Sequence, residues 1–232
     1  MSRFEVKGLH KKYGQKLLFN NLSFRFDDNR FIVLLGSNGS GKSTLLKICS
    51  GLVPFSEGTI MLGNGQERID RAHNSSFVAE HVGFPGYLTA EDILQQQQKL
   101  YPHFDLNQAM SYCNEMNVPT QTKWFALSTG QRYLLSLIIA ISTQKPFLFI
   151  DELLANLDTV KKEAMQRILT DFLLEGSRTI VMATHAYDDV EMLADGVIFI
   201  ENQNATIIND LETWRIEQGT SLNDLFARVG KT

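Results

Sequence analysis

Three short stretches hold the residues able to do chemistry. GSNGSGKST, residues 36–44, fits G-x-x-x-x-G-K-[ST] in full, with a buried-type strand before it and a helix-type segment after it. Gly36, Gly39 and Gly41 can take backbone angles closed to other residues. The N–H groups of the loop, which also contains Ser37, Asn38 and Ser40, can then turn inward as an anion nest. The helix opening here adds partial positive charge. Lys42 brings a full charge to outer phosphates, Ser43 offers a hydroxyl to Mg²⁺, and Thr44 closes the motif. Charge-assisted hydrogen bonds contribute about 1.5–3 kcal/mol each, and several together reach the roughly 8 kcal/mol of micromolar nucleotide binding.

FLFIDE is the second stretch. An apolar strand ending in Asp151 delivers that carboxylate to the sheet edge where ligands of open α/β sheets bind. Asp151 is expected to hold Mg²⁺, directly or through water. Glu152 is expected to face a γ-phosphate and to orient or deprotonate the attacking water, a contribution of about 10²–10⁴ in rate. His185, at the end of RTIVMATH, reaches the same edge, where a neutral imidazole could contact that phosphate and water. The third stretch, LSTGQ at 127–131, places hydroxyls and a glycine directly before an apolar segment. It reads as a helix start, with no nucleophile–base pair and no metal ligand set.

These groups need a scaffold. Residues 3–8 and 22–26 alternate like strands, and FIVLL at 31–35 is a continuous apolar run typical of a strand buried on both faces. TLLKICSG reads as a helix ending at Gly51; GTIML and SFVA read as strands. From Thr89 to about Glu115 the pattern is helical, with Thr89 and Asp92 suited to a capped start and Pro102 and Pro119 marking breaks. A helix is expected over 129–143, a buried strand over 146–151 and a helix over 159–175 ending at Gly176. RTIVMAT is expected as a strand, AYDDVEMLA as a helix, GVIFI and ATIIN as a closing strand pair, and 221–228 as a last helix. Strands alternating with helices imply an α/β domain with a mainly parallel sheet. Residues 89–145 interrupt that alternation as an inserted helical subdomain, with 1–88 and 146–232 forming the core.

The 232 residues suffice for one large domain or two small ones. The net charge of -4 disfavours a general nucleic-acid binder, and no nucleic-acid partner is expected. Cys49 and Cys113 lack metal-ligand spacing and read as two reduced thiols. The charged, alternating N-terminus does not read as a signal peptide. The longest apolar run, LLSLIIAI, falls short of the roughly 20 residues a membrane span needs.

Together, the ordered motifs resemble the ATP-binding subunit of an ATP-binding cassette (ABC) transporter, through essentially the whole chain. GSNGSGKST resembles the family's Walker A motif, FLFIDE its Walker B motif with the following glutamate, and LSTGQ its signature LSGGQ. His185 matches the switch histidine, and Tyr13, in KKYGQ, matches the aromatic that stacks on adenine. The resemblance implies an ABC ATPase fold: a P-loop core with an N-terminal antiparallel β subdomain and a helical subdomain. It implies ATP and Mg²⁺ as ligands, a second ABC ATPase subunit closing head to tail over two ATP, and separate transmembrane permease subunits. The chain would then lie at the cytoplasmic face of the membrane. Ser128, Gly130 and Gln131 of the signature would meet ATP held by the partner subunit. HVGFPGYLT would contact a permease helix through Phe84, Pro85, Tyr87 and Leu88.

Departures from the family pattern are specific. Glu80 stands where a glutamine usually ligates Mg²⁺ or water, and adds negative charge beside phosphates. Thr129 replaces the first signature glycine. Leu153 replaces a proline, and LLANLD keeps Asp158 but carries Ala155 and Asn156 where Ser and Gly are common. The stretch LYPHFDLNQAMSYCNEMNVP with LSTGQR resembles bacterial efflux-type members. Two other readings compete: a soluble ABC ATPase, for example in iron–sulfur assembly, and an unrelated P-loop GTPase or kinase. The latter lacks N-K-x-D and leaves LSTGQ without a role.

Overall fold

Strand β3 (Phe31–Gly36) shows how the fold is held: its successive side chains enter two different cores. Phe31, Val33 and Leu35 pack on one face of the sheet, Ile32 and Leu34 on the other. The period-2 geometry of a strand forces this division. Continuous apolar runs therefore become central strands covered on both sides. β6 (Phe147–Asp151), β7 (Thr179–Ala183) and β8 (Gly196–Glu201) divide their side chains in the same way.

The computed structural model describes residues 3–27, 30–79, 83–152, 159–184 and 190–218. Within them, a six-stranded sheet has the order β5-β6-β7-β3-β8-β9, where β5 is Ser75–Ala79 and β9 is Asn204–Ile208. All its neighbours pair in parallel except β8 and β9, which pair antiparallel. A second, antiparallel sheet has the order β2-β1-β4, from β1 (Phe4–Tyr13), β2 (Lys16–Phe26) and β4 (Glu57–Leu62). Helix α1 (Lys42–Cys49) lies in the core between the two sheets, with Leu45, Leu46 and Ile48 buried. On the opposite face, α3 (Ala90–Leu100), α4 (Leu106–Glu115), α5 (Thr129–Ser142) and α6 (Thr159–Leu174) close the other core. No helix among the described residues is long and apolar enough to cross a membrane.

Most elements match the sequence expectations, and the exceptions have reasons. Thr89 and Asp92 form the expected capping box. The helical stretch after it divides at Pro102 into α3 and α4. β1 and β2 are longer than expected because register shifts break their alternation. Two helices are additional: α2 (Arg68–Asn74) and α7 (Leu211–Gln218). Of the expected helix over 186–194, residues 190–193 form a turn and the preceding ones lie outside the described residues, as does the helix expected at 221–228. Phe84 and Leu88, two of the expected docking residues, are only partly accessible. Both are partly buried against the core, Phe84 edge-on to Trp124 at 5.2 Å, whereas Tyr87 is exposed.

Both thiols are free and buried; burial pushes Cys49 up to about 12 and Cys113 to about 11. The end of α1 is equally constrained. Gly51 N donates to Ile48 O at 3.1 Å and Leu52 N to Lys47 O at 2.8 Å, the paired bonds of a Schellman motif. Gly51 has φ +78, and a Cβ there would stand 2.4 Å from Arg68 O. Gly51→Ala combines a left-handed backbone with that clash and should destabilise the protein by about 2 kcal/mol or more in urea unfolding, with an unchanged m-value.

Candidate active site

The site forms where β3 and β6 end and α1 begins. β3 runs into Gly36, and the loop tightens through a Ser40 N to Ser37 O bond of 3.1 Å. Gly41 caps α1 with φ +110; a Cβ there would press to 2.8 Å from the Phe19 ring of β2. A side chain is thus excluded for two separate reasons, backbone angle and packing. The Lys42 ammonium donates to Gly36 O at 2.8 Å and Ser37 O at 3.2 Å. An ammonium has three donors, so one more is available to an anion. Burial lowers the Lys42 pKa, while Glu152 and Asp151 act to raise it. The Ser40 hydroxyl is buried without a hydrogen-bond partner among the described residues, which makes the loop a cradle with polar capacity to spare.

Asp151 ends β6 directly across from α1. Ser43 Oγ donates to Asp151 Oδ1 at 2.9 Å. Burial raises the Asp151 pKa; the Ser43 bond and the charges of Lys47 and Lys42 counter it. A hydroxyl and a carboxylate touching in this way are hard oxygen donors. They suit Mg²⁺, which takes one or two protein oxygens and fills its octahedron with water and phosphate oxygens. Among the described residues no cluster of three or more His, Cys, Asp or Glu could cage a metal unaided.

Glu152 follows with φ +50, a strained conformation for a residue with a Cβ. Its N–H donates to Ala183 O at 3.0 Å, at the end of β7. Glu152 lines an open cleft of about 280 Å³ together with Tyr13, Lys16, Leu18, Asn38, Gly39 and residues 41–44. Tyr13 sits at the end of β1, 52% exposed, with the Lys11 ammonium 4.5 Å from its ring centroid. The cleft therefore offers an aromatic surface at one side and an anion cradle at the other.

Ser128, Gly130 and Gln131 do not line this cleft. Ser128 is the N-cap of α5: its Oγ accepts from Gln131 N at 3.2 Å, and Gln131 Oε1 accepts from Ser128 N at 2.9 Å. The hydroxyl is thus not idle, because it completes a capping box. The N–H groups of Thr129 and Gly130, first in the helix, have no intrahelical acceptor and point out of its positive end. Arg132 braces the turn from behind by donating to Trp124 O at 3.0 Å and Phe125 O at 2.7 Å. Glu80, Asp158 and His185 lie outside the described residues. Besides Leu18, two polar contributors were not anticipated. Lys16 lines the cleft, and the Tyr133 hydroxyl donates to Asp151 O at 2.7 Å.

Comparison with known proteins agrees with this geometry. The family model described as ABC transporter matches residues 19–155. The ABC transporter ATP-binding protein YtrB of Bacillus subtilis is 24% identical over 215 residues, covering 92% of this chain and 74% of YtrB. The spermidine/putrescine import ATP-binding protein PotA of Roseobacter denitrificans is 30% identical over 208 residues, covering 83% of this chain; the chain spans only 55% of PotA. A solved ATP-binding subunit of an ABC transporter superposes with a TM-score of 0.88 at 21% identity, covering 98% of this chain and 99% of that one. A dimeric post-hydrolysis structure of the ATP-binding cassette MJ0796 with ADP and Pi gives 0.76 at 19% identity, covering 89% and 98%. The phosphate loop of residues 36–44, the carboxylate that ends β6 and this family match together show that the chain belongs to the ABC transporter family, as one of its ATP-binding, ATP-hydrolysing subunits.

Proposed function

We propose that two such subunits, copies of this chain or this chain and a paralogue, close head to tail over two ATP molecules and drive transport through separate membrane subunits. The observation that carries this reading is the separation within one chain: the capped signature turn lies outside the cleft lined by the phosphate loop. A second anion surface that cannot serve its own cleft is suited to a partner's. The MJ0796 cassette, a dimer, supports the same arrangement by fold.

In this reading the nest of residues 36–44 and the third Lys42 donor take the phosphates, and Tyr13 stacks on adenine with little base discrimination. Ser43 and Asp151 hold Mg²⁺, which supplies charge neutralisation on the phosphates. Glu152 orients and deprotonates the attacking water, with His185 beside the same phosphate. Glu80 and Asp158 complete the site from segments outside the described residues. Ser128, Gly130 and Gln131 clamp the γ-phosphate bound by the partner, through main-chain N–H groups and the remaining donor of the Ser128 hydroxyl. Residues 89–145 act as the helical signature subdomain on a core of 1–88 and 146–232.

The permease subunits would seat in the groove of about 440 Å³ where Phe84, Gln97, Tyr101, Ser136 and Lys145 meet Leu52 and Phe77. In that arrangement the chain would lie peripherally, at the cytoplasmic face of the membrane. Export is the direction we propose, supported by the resemblance of residues 100–119 and LSTGQR to efflux-type members, although PotA, named as an import protein, is also similar to this chain.

Glu152→Gln should lower steady-state ATP hydrolysis at least about 100-fold and make an ATP-bound dimer accumulate in size-exclusion chromatography. An unchanged rate would remove Glu152 from the chemistry. Ser128→Arg should abolish ATP-driven dimerisation while the monomer's ATP affinity stays within about threefold, read by calorimetry; loss of monomer binding would refute the clamp. Affinity capture from detergent-solubilised membranes should bring down a polytopic membrane protein, and capture of soluble partners alone would favour a non-transport role.

A further inference from the structure

The peptide unit joining Asp151 to Glu152 is gripped on both sides. Its carbonyl accepts from the Tyr133 hydroxyl at 2.7 Å, and its N–H donates to Ala183 O at 3.0 Å. One grip comes from β7, the neighbouring strand. The other comes from α5, from a residue five positions after the Ser128 cap. The grip matters because Glu152 stands at φ +50. A residue with a Cβ stays in such a conformation only where its surroundings hold it. The ready route to relax is rotation of the 151–152 peptide plane. That rotation changes the φ of Glu152 and with it the direction of its carboxylate.

The segment between the cap and Tyr133 is stiff. Arg132 N donates to Ser128 O at 2.9 Å, the capping box closes the first turn, and the Arg132 guanidinium holds the carbonyls of Trp124 and Phe125. Tyr133 itself is only 8% exposed. A tilt of α5 that moves the signature turn therefore moves the Tyr133 hydroxyl as well.

We propose that Tyr133 is a positioning residue that ties the capped turn of α5 to the aim of Glu152 in the same chain. The proposal rests on the roles given above to Glu152 and to the signature turn. It adds a physical path between them: contact of a phosphate with residues 128–131 is passed through α5 and one hydrogen bond to the catalytic carboxylate of the chain's own cleft. Two composite sites joined in this way do not act independently.

Tyr133→Phe removes one hydroxyl and keeps the ring. Its kcat should fall about tenfold, the rate equivalent of one hydrogen bond, with KM for ATP within twofold. Combined with Glu152→Gln, it should still form the ATP-bound dimer. By hydrogen exchange, the residue-152 amide of Tyr133→Phe should open about tenfold faster while the other β6 amides keep their protection. A kcat within twofold of the parent, or unchanged exchange at residue 152, overturns the proposal. So does a kcat loss accompanied by weaker ATP binding or by faster exchange along all of β6, which would mark general loosening. A parent chain that hydrolyses no ATP would instead sink the functional reading, and the exchange measurement would still decide whether Tyr133 holds the peptide.

Discussion

One hydrogen bond, Ser43 Oγ to Asp151 Oδ1, joins the two halves of the site. The hydroxyl comes from the first turn of α1 and the carboxylate from the end of β6, more than a hundred residues later in the chain. Burial works against the charge on Asp151, and Ser43, Lys47 and Lys42 work for it. Such a carboxylate is costly for the folded protein and suited to a cation. This is the usual trade at functional sites, where local stability is given up for chemistry.

The sheet makes that trade possible. β3, β6, β7 and β8 each send alternate side chains into the two cores, so none of these strands can slide without pulling its apolar set out of register. Parallel pairing then brings the ends of β3, β6 and β7 to one edge. Gly36, Asp151 and Ala183, their last residues, become neighbours of the same cleft region by construction. The strain at Glu152 is held at the end of this frame, where β7 and α5 each bond the 151–152 peptide.

Much of this was legible in the residues. FIVLL, FLFID and GVIFI are short continuous apolar runs, typical of strands covered on both faces. The phosphate loop was legible because its glycines and Lys42 satisfy geometry local to nine residues. Thr89 and Asp92 announced their helix for the same reason. The omissions share a cause. RIDRAHN, which forms α2, buries only Arg71, so it has no apolar stripe to read. α7 likewise buries Leu211 alone. Tyr133 was passed over because its partner is a main-chain carbonyl 18 residues away, and main-chain partners leave no mark in side-chain pattern. Of the residues expected to meet a permease helix, Phe84 and Leu88 are partly buried against the core while Pro85 and Tyr87 stay exposed, a division that side-chain type alone does not reveal.

The capping box at Ser128 has a further consequence. In the isolated chain the Ser128 hydroxyl already accepts from the Gln131 main-chain N–H, the Gln131 side-chain oxygen accepts from the Ser128 N–H, and Arg132 fixes the backbone behind them. The turn is ordered before anything reaches it. An incoming anion meets N–H groups whose directions are already set, and it need not supply the free energy to freeze a loop. The remaining cost of engagement is that of orienting two rigid bodies, so affinity there is set by alignment and not by folding.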